Sequence, residues 1–277
     1  MTKRAKPTTL NDHLPHYLKA AKATLRPKTF AEYTRLLDRL VLPEFGSTRL
    51  VDVTTRRVDR WHTALAEKTP AQANRALAVL SAVLRHAARW GALPVNPVQG
   101  VTWAKERARD RYLTPEERQR LVDAVAGLPP LERAFVVTAL HTGARPGELI
   151  AARWEDVKGE EIVLAEGKNG DRRVIYVPPQ VFAELMELPT DFGPIFAGVN
   201  PELTWRRVRR LSGLRDVRLY DLRHTFASAG LAAGLSLEVI GQLLGHRRAQ
   251  STKRYAHLMR DTGRESVSRV SAALGGF

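Results

Sequence analysis

Two stretches of this chain hold the residue types that phosphate chemistry uses. One runs from Tyr220 to Tyr255 and packs Arg223, His224, His246 and Tyr255 into a short run of helical sequence. The other is His141-Thr142-Gly143-Ala144-Arg145-Pro146-Gly147-Glu148-Leu149. Between them Lys168 sits on Glu166-Gly167-Lys168-Asn169-Gly170, whose glycines and asparagine signal a tight reversal. Breaking a phosphodiester without a metal calls for arginines on the non-bridging oxygens, a proton donor for the leaving 5′ oxygen, and a nucleophile. Arg145 and Arg223 suit the first task, Lys168 the second and Tyr255 the third. A phenol ionises near pH 10, so cationic surroundings should help it attack. No calcium-binding loop, His-x-x-x-His pair or dense carboxylate cluster points to a metal site, and no cofactor is expected.

Taken singly, each residue has a plainer reading. Arg145 precedes Pro146, where a helix should open; a cation there opposes the helix dipole and needs an anion, either Glu148 or a phosphate. Lys168 alone is an exposed turn lysine, and Tyr255 alone is a half-buried packing residue. Arg223 lies among Leu219, Leu222, Phe226 and Leu231, so it needs an anionic partner, with Asp221 and Glu238 as protein candidates. His224 reads as structural.

The elements that must position these groups fall into two parts. Residues 8–92 read as a helical unit of four helices, which the resemblance described below likens to a core-binding domain. Helical spacing is seen in Leu14, Tyr17, Leu18 and Ala21, then in Phe30 to Val41 between Pro27 and Pro43. A third helix starts at Thr54 or Thr55, and a fourth has Thr69-Pro70 as cap and first turn and stops at Gly91. Residues 93–112, rich in proline and then in alternating charge, read as a linker. From 113 to 277 the pattern is that of a second domain. It opens with a Thr114–Glu117 capping box and a helix ending at Thr142-Gly143. A small antiparallel sheet from Glu161–Leu164 and Arg173–Val177 follows, then more helix. The fold class is therefore mainly α with a small antiparallel β-sheet, in two domains.

The chain has 277 residues, a formal net charge of +15, a pI near 10.6 and no cysteine. Such a balance draws polyanions, and double-stranded DNA is the leading partner. Trp205 to Arg218 holds six arginines and one acid, so Arg206, Arg207, Arg209 and Arg210 are candidate DNA contacts. No apolar run is long enough to cross a bilayer and no secretion signal precedes the first helix, so no membrane partner is expected. The lack of cysteine fits a reducing, cytoplasmic setting, and the DNA partner places the expected location at the nucleoid.

Ala139 to Leu149 resembles the first conserved box of the tyrosine recombinases, the phage-integrase family. Asp-Leu-Arg-His-Thr-Phe-Ala-Ser at 221–228, Leu-Leu-Gly-His at 243–246 and Thr-x-x-Tyr at 252–255 resemble the second. The resemblance implies a site-specific recombinase that cleaves and rejoins duplex DNA through a 3′-phosphotyrosine link. It further implies that Arg145 and Arg223 clamp the phosphate, Lys168 protonates the 5′ oxygen, His246 donates a hydrogen bond, Glu148 supports Arg145 and Tyr255 is the nucleophile. The family's two domains form a clamp on DNA and act as a tetramer, sometimes with accessory DNA-bending or directionality proteins. One position departs from the pattern. The family's usual histidine three residues before the second arginine is Tyr220 here, and His224 lies a helical turn farther along. The tail carries Val267, Val270, Ala272, Ala273 and Leu274 in amphipathic order and is expected to dock on a neighbouring protomer. Two rival readings are a non-catalytic helix-turn-helix protein over Ser236–Arg260 and a type IB topoisomerase, which would swivel strands instead of exchanging them.

Overall fold

The computed structural model describes residues 8–106, 109–164, 173–189, 192–246, 249–256 and 263–275. The chain divides into two compact units, Met1–Ala108 and Arg109–Phe277.

In the first unit, α1 (Leu10–Thr24) opens on a capping box between Thr9 and Asp12. Helix α2 (Pro27–Leu36) runs through a π-helical turn, Leu37–Val41, into α3 (Leu42–Phe45). Pro43 therefore lies inside a helical continuation, not past its end as the sequence suggested. Proline has no N–H to give, and the wider turn lets Leu42 N–H reach Leu37 O so that the chain carries on. Helix α4 (Thr55–Lys68) is capped by the Thr54 hydroxyl, and α5 (Pro70–Arg89) begins on proline and stops before Gly91, whose φ is +73°. Thr69 does not cap α5 through its side chain; its hydroxyl faces Gln72 instead. Leu10, Val41, Phe45, Val58, Leu77, Leu80 and Leu84 form the core. Leu93, Val98 and Val101 are buried in the same cluster, and Asn74 binds the backbone of Ala104 through both halves of its amide.

The second unit starts with α6 (Pro115–Ala126), on the Thr114–Glu117 capping box, and α7 (Pro130–Thr142). After α8 (Pro146–Ala151) come β1 (Val157–Lys158), β2 (Glu161–Leu164) and β3 (Arg173–Tyr176), antiparallel in the order β1-β2-β3. Ile162 faces Ile175 and Leu164 faces Arg173, so alternation turns these four side chains to the core side. Then follow α9 (Pro179–Met186), α10 (Pro201–Ser212), α11 (Asp221–Ala232), α12 (Leu237–Leu244), α13 (Ala249–Lys253) and α14 (Gly263–Ala273). Phe135 on α7 meets Phe196 edge to face at 5.4 Å in the middle of this core.

Candidate active site

The site is assembled where α7, α8, α11 and α12 begin or end. Helix α7 closes on Gly143 in the left-handed region, φ +61°. A Cβ there would stand 2.7 Å from Leu244 Cδ2 and Phe226 Cδ1, so glycine is needed both for the turn and for close packing on α12. The chain then turns into α8, with Arg145 at its N-cap. Glu148, three residues on, accepts a hydrogen bond from Arg145 N–H at 2.8 Å and pairs with the Arg145 guanidinium. This meets the need for an anion at that helix start and leaves the arginine side chain partly exposed. Burial lowers the Arg145 pKa, but the hydrogen bond and charge of Glu148, with Tyr220, outweigh it and leave a net rise.

Arg223, on the first turn of α11, is 1% exposed. Its Nη1 donates to Gly143 O at 2.8 Å and its Nη2 to Leu244 O at 2.6 Å, the carbonyls at the ends of α7 and α12. Its Nε is buried without a partner. The expected carboxylate partners are engaged elsewhere. Asp221 caps the Arg218 N–H and pairs with Arg109 at 3.0 Å, while Glu238 is turned to the N-terminus of its own helix. Burial first, then the charge of Arg145, lowers the Arg223 pKa to about 10. A buried guanidinium satisfied only by neutral carbonyls is short of counter-charge.

His246 follows Gly245, whose φ of +63° ends α12. Its Nδ1 lies 2.8 Å from Thr252 Oγ1, leaving Nε2 for another partner. Burial, then Arg223, Arg145 and Arg173, lowers its pKa to about 4, so the ring is neutral near pH 7. Tyr255 stands just past α13, 4% exposed, with its ring parallel to His246 at 6.5 Å. Its hydroxyl lies 2.8 Å from His224 Nδ1. The cationic surroundings do not lower its pKa overall: burial raises it and outweighs the opposing pull of Arg223 and Arg254. Tyr220 is 41% exposed at the start of α11, its ring edge-on to His224 at 5.6 Å.

Arg145, Glu148, Arg223, His246 and Tyr255 are therefore brought together, with Tyr220 beside them. Lys168 lies outside the described residues. Arg206 and Arg209 line a groove with Pro146 and Tyr220, whereas Arg207 pairs with Glu132 at 2.8 Å, outside that lining. Among the described residues no three His, Cys, Asp or Glu side chains are placed to hold a metal ion. Two groups escaped the sequence reading. Arg173 is half-buried and packed against Gly245, its Nε in an ion pair with Glu148 at 3.8 Å, its Nη1 donating to Gln242 O and its Nη2 without a hydrogen bond. Its signal was parity, since it shares a strand face with Ile175. His224, read as structural, touches the phenol; it lies one helical turn from Tyr220 with the two rings in contact, and only the fold brings Tyr255 to it.

Comparison with known proteins gives matches in both units of the chain. The description of the phage integrase family matches residues 199–261, and that of the phage integrase N-terminal SAM-like domain matches residues 9–66. The chain is 27% identical over 281 residues to a putative prophage phiRv2 integrase of Mycobacterium tuberculosis, covering 89% of this chain and 74% of that protein. It is 26% identical over 264 residues to tyrosine recombinase XerC of Pelobacter propionicus, covering 86% and 87%. The fold matches a lambda integrase tetramer bound to a Holliday junction with a TM-score of 0.76 at 22% identity, over 89% of this chain and 78% of that one.

Proposed function

Because the chain belongs to the tyrosine recombinases of the phage-integrase family, we propose that it cuts and reseals duplex DNA at specific sites through a 3′-phosphotyrosine link. Arg145 and Arg223 hold the non-bridging oxygens of the scissile phosphate and balance the charge that grows on them. Neutral His246 donates from Nε2 while Thr252 fixes its other nitrogen. Tyr255 attacks phosphorus, and Lys168 supplies the proton for the departing 5′ oxygen. The link keeps the phosphoester energy for rejoining, so neither metal nor nucleotide is required. The observation that carries this reading is Arg223: a buried cation held by two carbonyls, its Nε bare, beside a phenol and a second arginine.

Arg206 and Arg209, in the groove beside Tyr220, are the arginines of α10 best placed to follow the DNA backbone. The tail leaves Val267 and Val270 on α14, and Leu274 just past it, at 70%, 59% and 81% exposure, which suits an apolar contact with a second protomer. A lambda integrase tetramer on a Holliday junction supports a tetramer as the working assembly.

The test uses nicked duplexes carrying the DNA that flanks the protein's own gene. A denaturation-resistant protein–DNA adduct should form with the wild type, in the presence of a chelator, and vanish in Tyr255→Phe. An adduct that persists in Tyr255→Phe overturns the reading. Supercoil relaxation by monomers at any sequence would favour the strand-swivelling alternative.

A further inference from the structure

Tyr255 is nearly sealed from solvent, so its phenolic proton needs an acceptor inside the protein before the oxygen can attack. His246 is poorly aimed for this. Its ring lies flat against the phenol, 8° from parallel, and its Nδ1 is taken by Thr252. Tyr220, at the family's histidine position, offers only another phenol. Among the described residues the basic nitrogen within hydrogen-bond reach of the Tyr255 hydroxyl is Nδ1 of His224, at 2.8 Å. Both partners are almost fully buried, and the Tyr220 ring packs edge-on against the imidazole, fixing its plane.

We propose that His224 is the general base of the cleavage step and stands in for the histidine absent at position 220. The proposal rests on the phosphotyrosine reading above. As the Tyr255 O–H bond breaks, its proton passes to His224 Nδ1 and the freed electron pair forms the O–P bond. The P–O5′ bond breaks, and the 5′ oxygen leaves with a proton from the enzyme's acid or from water. Rejoining runs the steps backwards, and His224 returns its proton to the phenol. The task requires a neutral ring with Nδ1 bare and the hydrogen on Nε2. Burial is the main effect that lowers the ring's pKa and disfavours a second proton; of the groups facing it, Arg254 and Arg223 add to burial, while Asp221 and Asp110 oppose it without reversing it.

The experiment compares full-length wild type, His224→Asn and His224→Ala on suicide duplexes with a 5′-bridging phosphorothiolate. Sulfur leaves without a proton, so the acid drops out and activation of the nucleophile limits the rate. Asn keeps a hydrogen-bond acceptor near the Nδ1 position but has no basicity. Both variants should bind DNA normally and form the Tyr255 adduct about 10² times more slowly near neutral pH. Their rates should climb steadily towards alkaline pH, where the phenol ionises unaided, while the wild-type rate levels off. A wild-type rate and pH profile in His224→Asn, or a faster rate in His224→Ala, overturns the proposal while leaving the phosphotyrosine reading intact. If no protein, wild type included, forms the adduct, the phosphotyrosine reading itself fails and takes the proposal with it. Should the variants not fold, nitrogen NMR of the wild-type imidazole decides. Nδ1 must be unprotonated and hydrogen-bonded, with its resonance shifted by Tyr255→Phe; a protonated Nδ1 overturns the proposal.

Discussion

Arg223 is the side chain on which most of the site converges, and its substitution should be the most damaging. Lysine in its place cannot reach Gly143 O and Leu244 O at once and still face a phosphate, because it has one compact head where arginine has a fork. Arg223→Lys should lower the adduct-forming rate by roughly 10² to 10³, as measured in single-turnover cleavage. His246 gives a second expectation, about pH. Its folded pKa of about 4 lies below that of an unfolded histidine, so the unfolded chain takes up the proton first as pH falls. The stability held by the neutral ring is complete above pH ~6.5 and is lost as pH drops towards ~4. His246→Gln should flatten that part of the curve of denaturation midpoint against pH. The grouping of Arg145, Glu148, His246 and Tyr255 was legible at this scale because motif spacing marks these residues out. The partners of Arg223 were not, since carbonyls carry no sequence signal and the two it uses come from residues 143 and 244.

At the scale of the elements, local signals did well wherever the backbone alone decides. The Thr114–Glu117 box, Pro70 opening a helix, and Gly143 and Gly245 closing theirs all follow from capping and left-handed geometry. The π-turn before Pro43 was not readable, because it depends on Leu36, Leu37, Val41 and Phe45 all reaching the core, which outweighs the tendency of proline to end a helix. Nor was the burial of Val98 and Val101, which sit among prolines and glycines that resemble a free connector. Gly143→Ala tests how far the α7 terminus governs the site. It adds left-handed strain to a 2.7 Å clash with α12 and should cost about 1–3 kcal/mol, seen as a lowered urea midpoint. Cleavage should fall further than stability, since the Gly143 carbonyl would move with its guanidinium.

The whole molecule carries a net charge of +15, and how that charge is placed matters more than its sum. Arg207 is paired across to Glu132, while Arg209 and Arg206, the latter 3.5 Å from Glu202 on its own helix, line the groove beside Tyr220. Replacing both groove arginines with alanine should reduce the salt dependence of DNA binding by about two units of slope, whereas Arg207→Ala should leave it nearly unchanged. Equilibrium titrations at several salt concentrations would measure both. Removing residues 263–277 should spare binding to a single site and weaken pairing of two sites, as scored by gel mobility of the paired complex. No described helix is long and apolar enough to cross a membrane. The pocket around Arg223 behaves differently from this spread of surface charge. Dispersed arginines attract any polyelectrolyte, but two helix ends gripping one sunken guanidinium make a socket with a fixed shape and an unanswered charge. Small tetrahedral oxyanions suit it as well as a nucleic acid does. Sulfate or inorganic phosphate in the buffer should therefore compete with substrate more strongly than chloride at equal ionic strength.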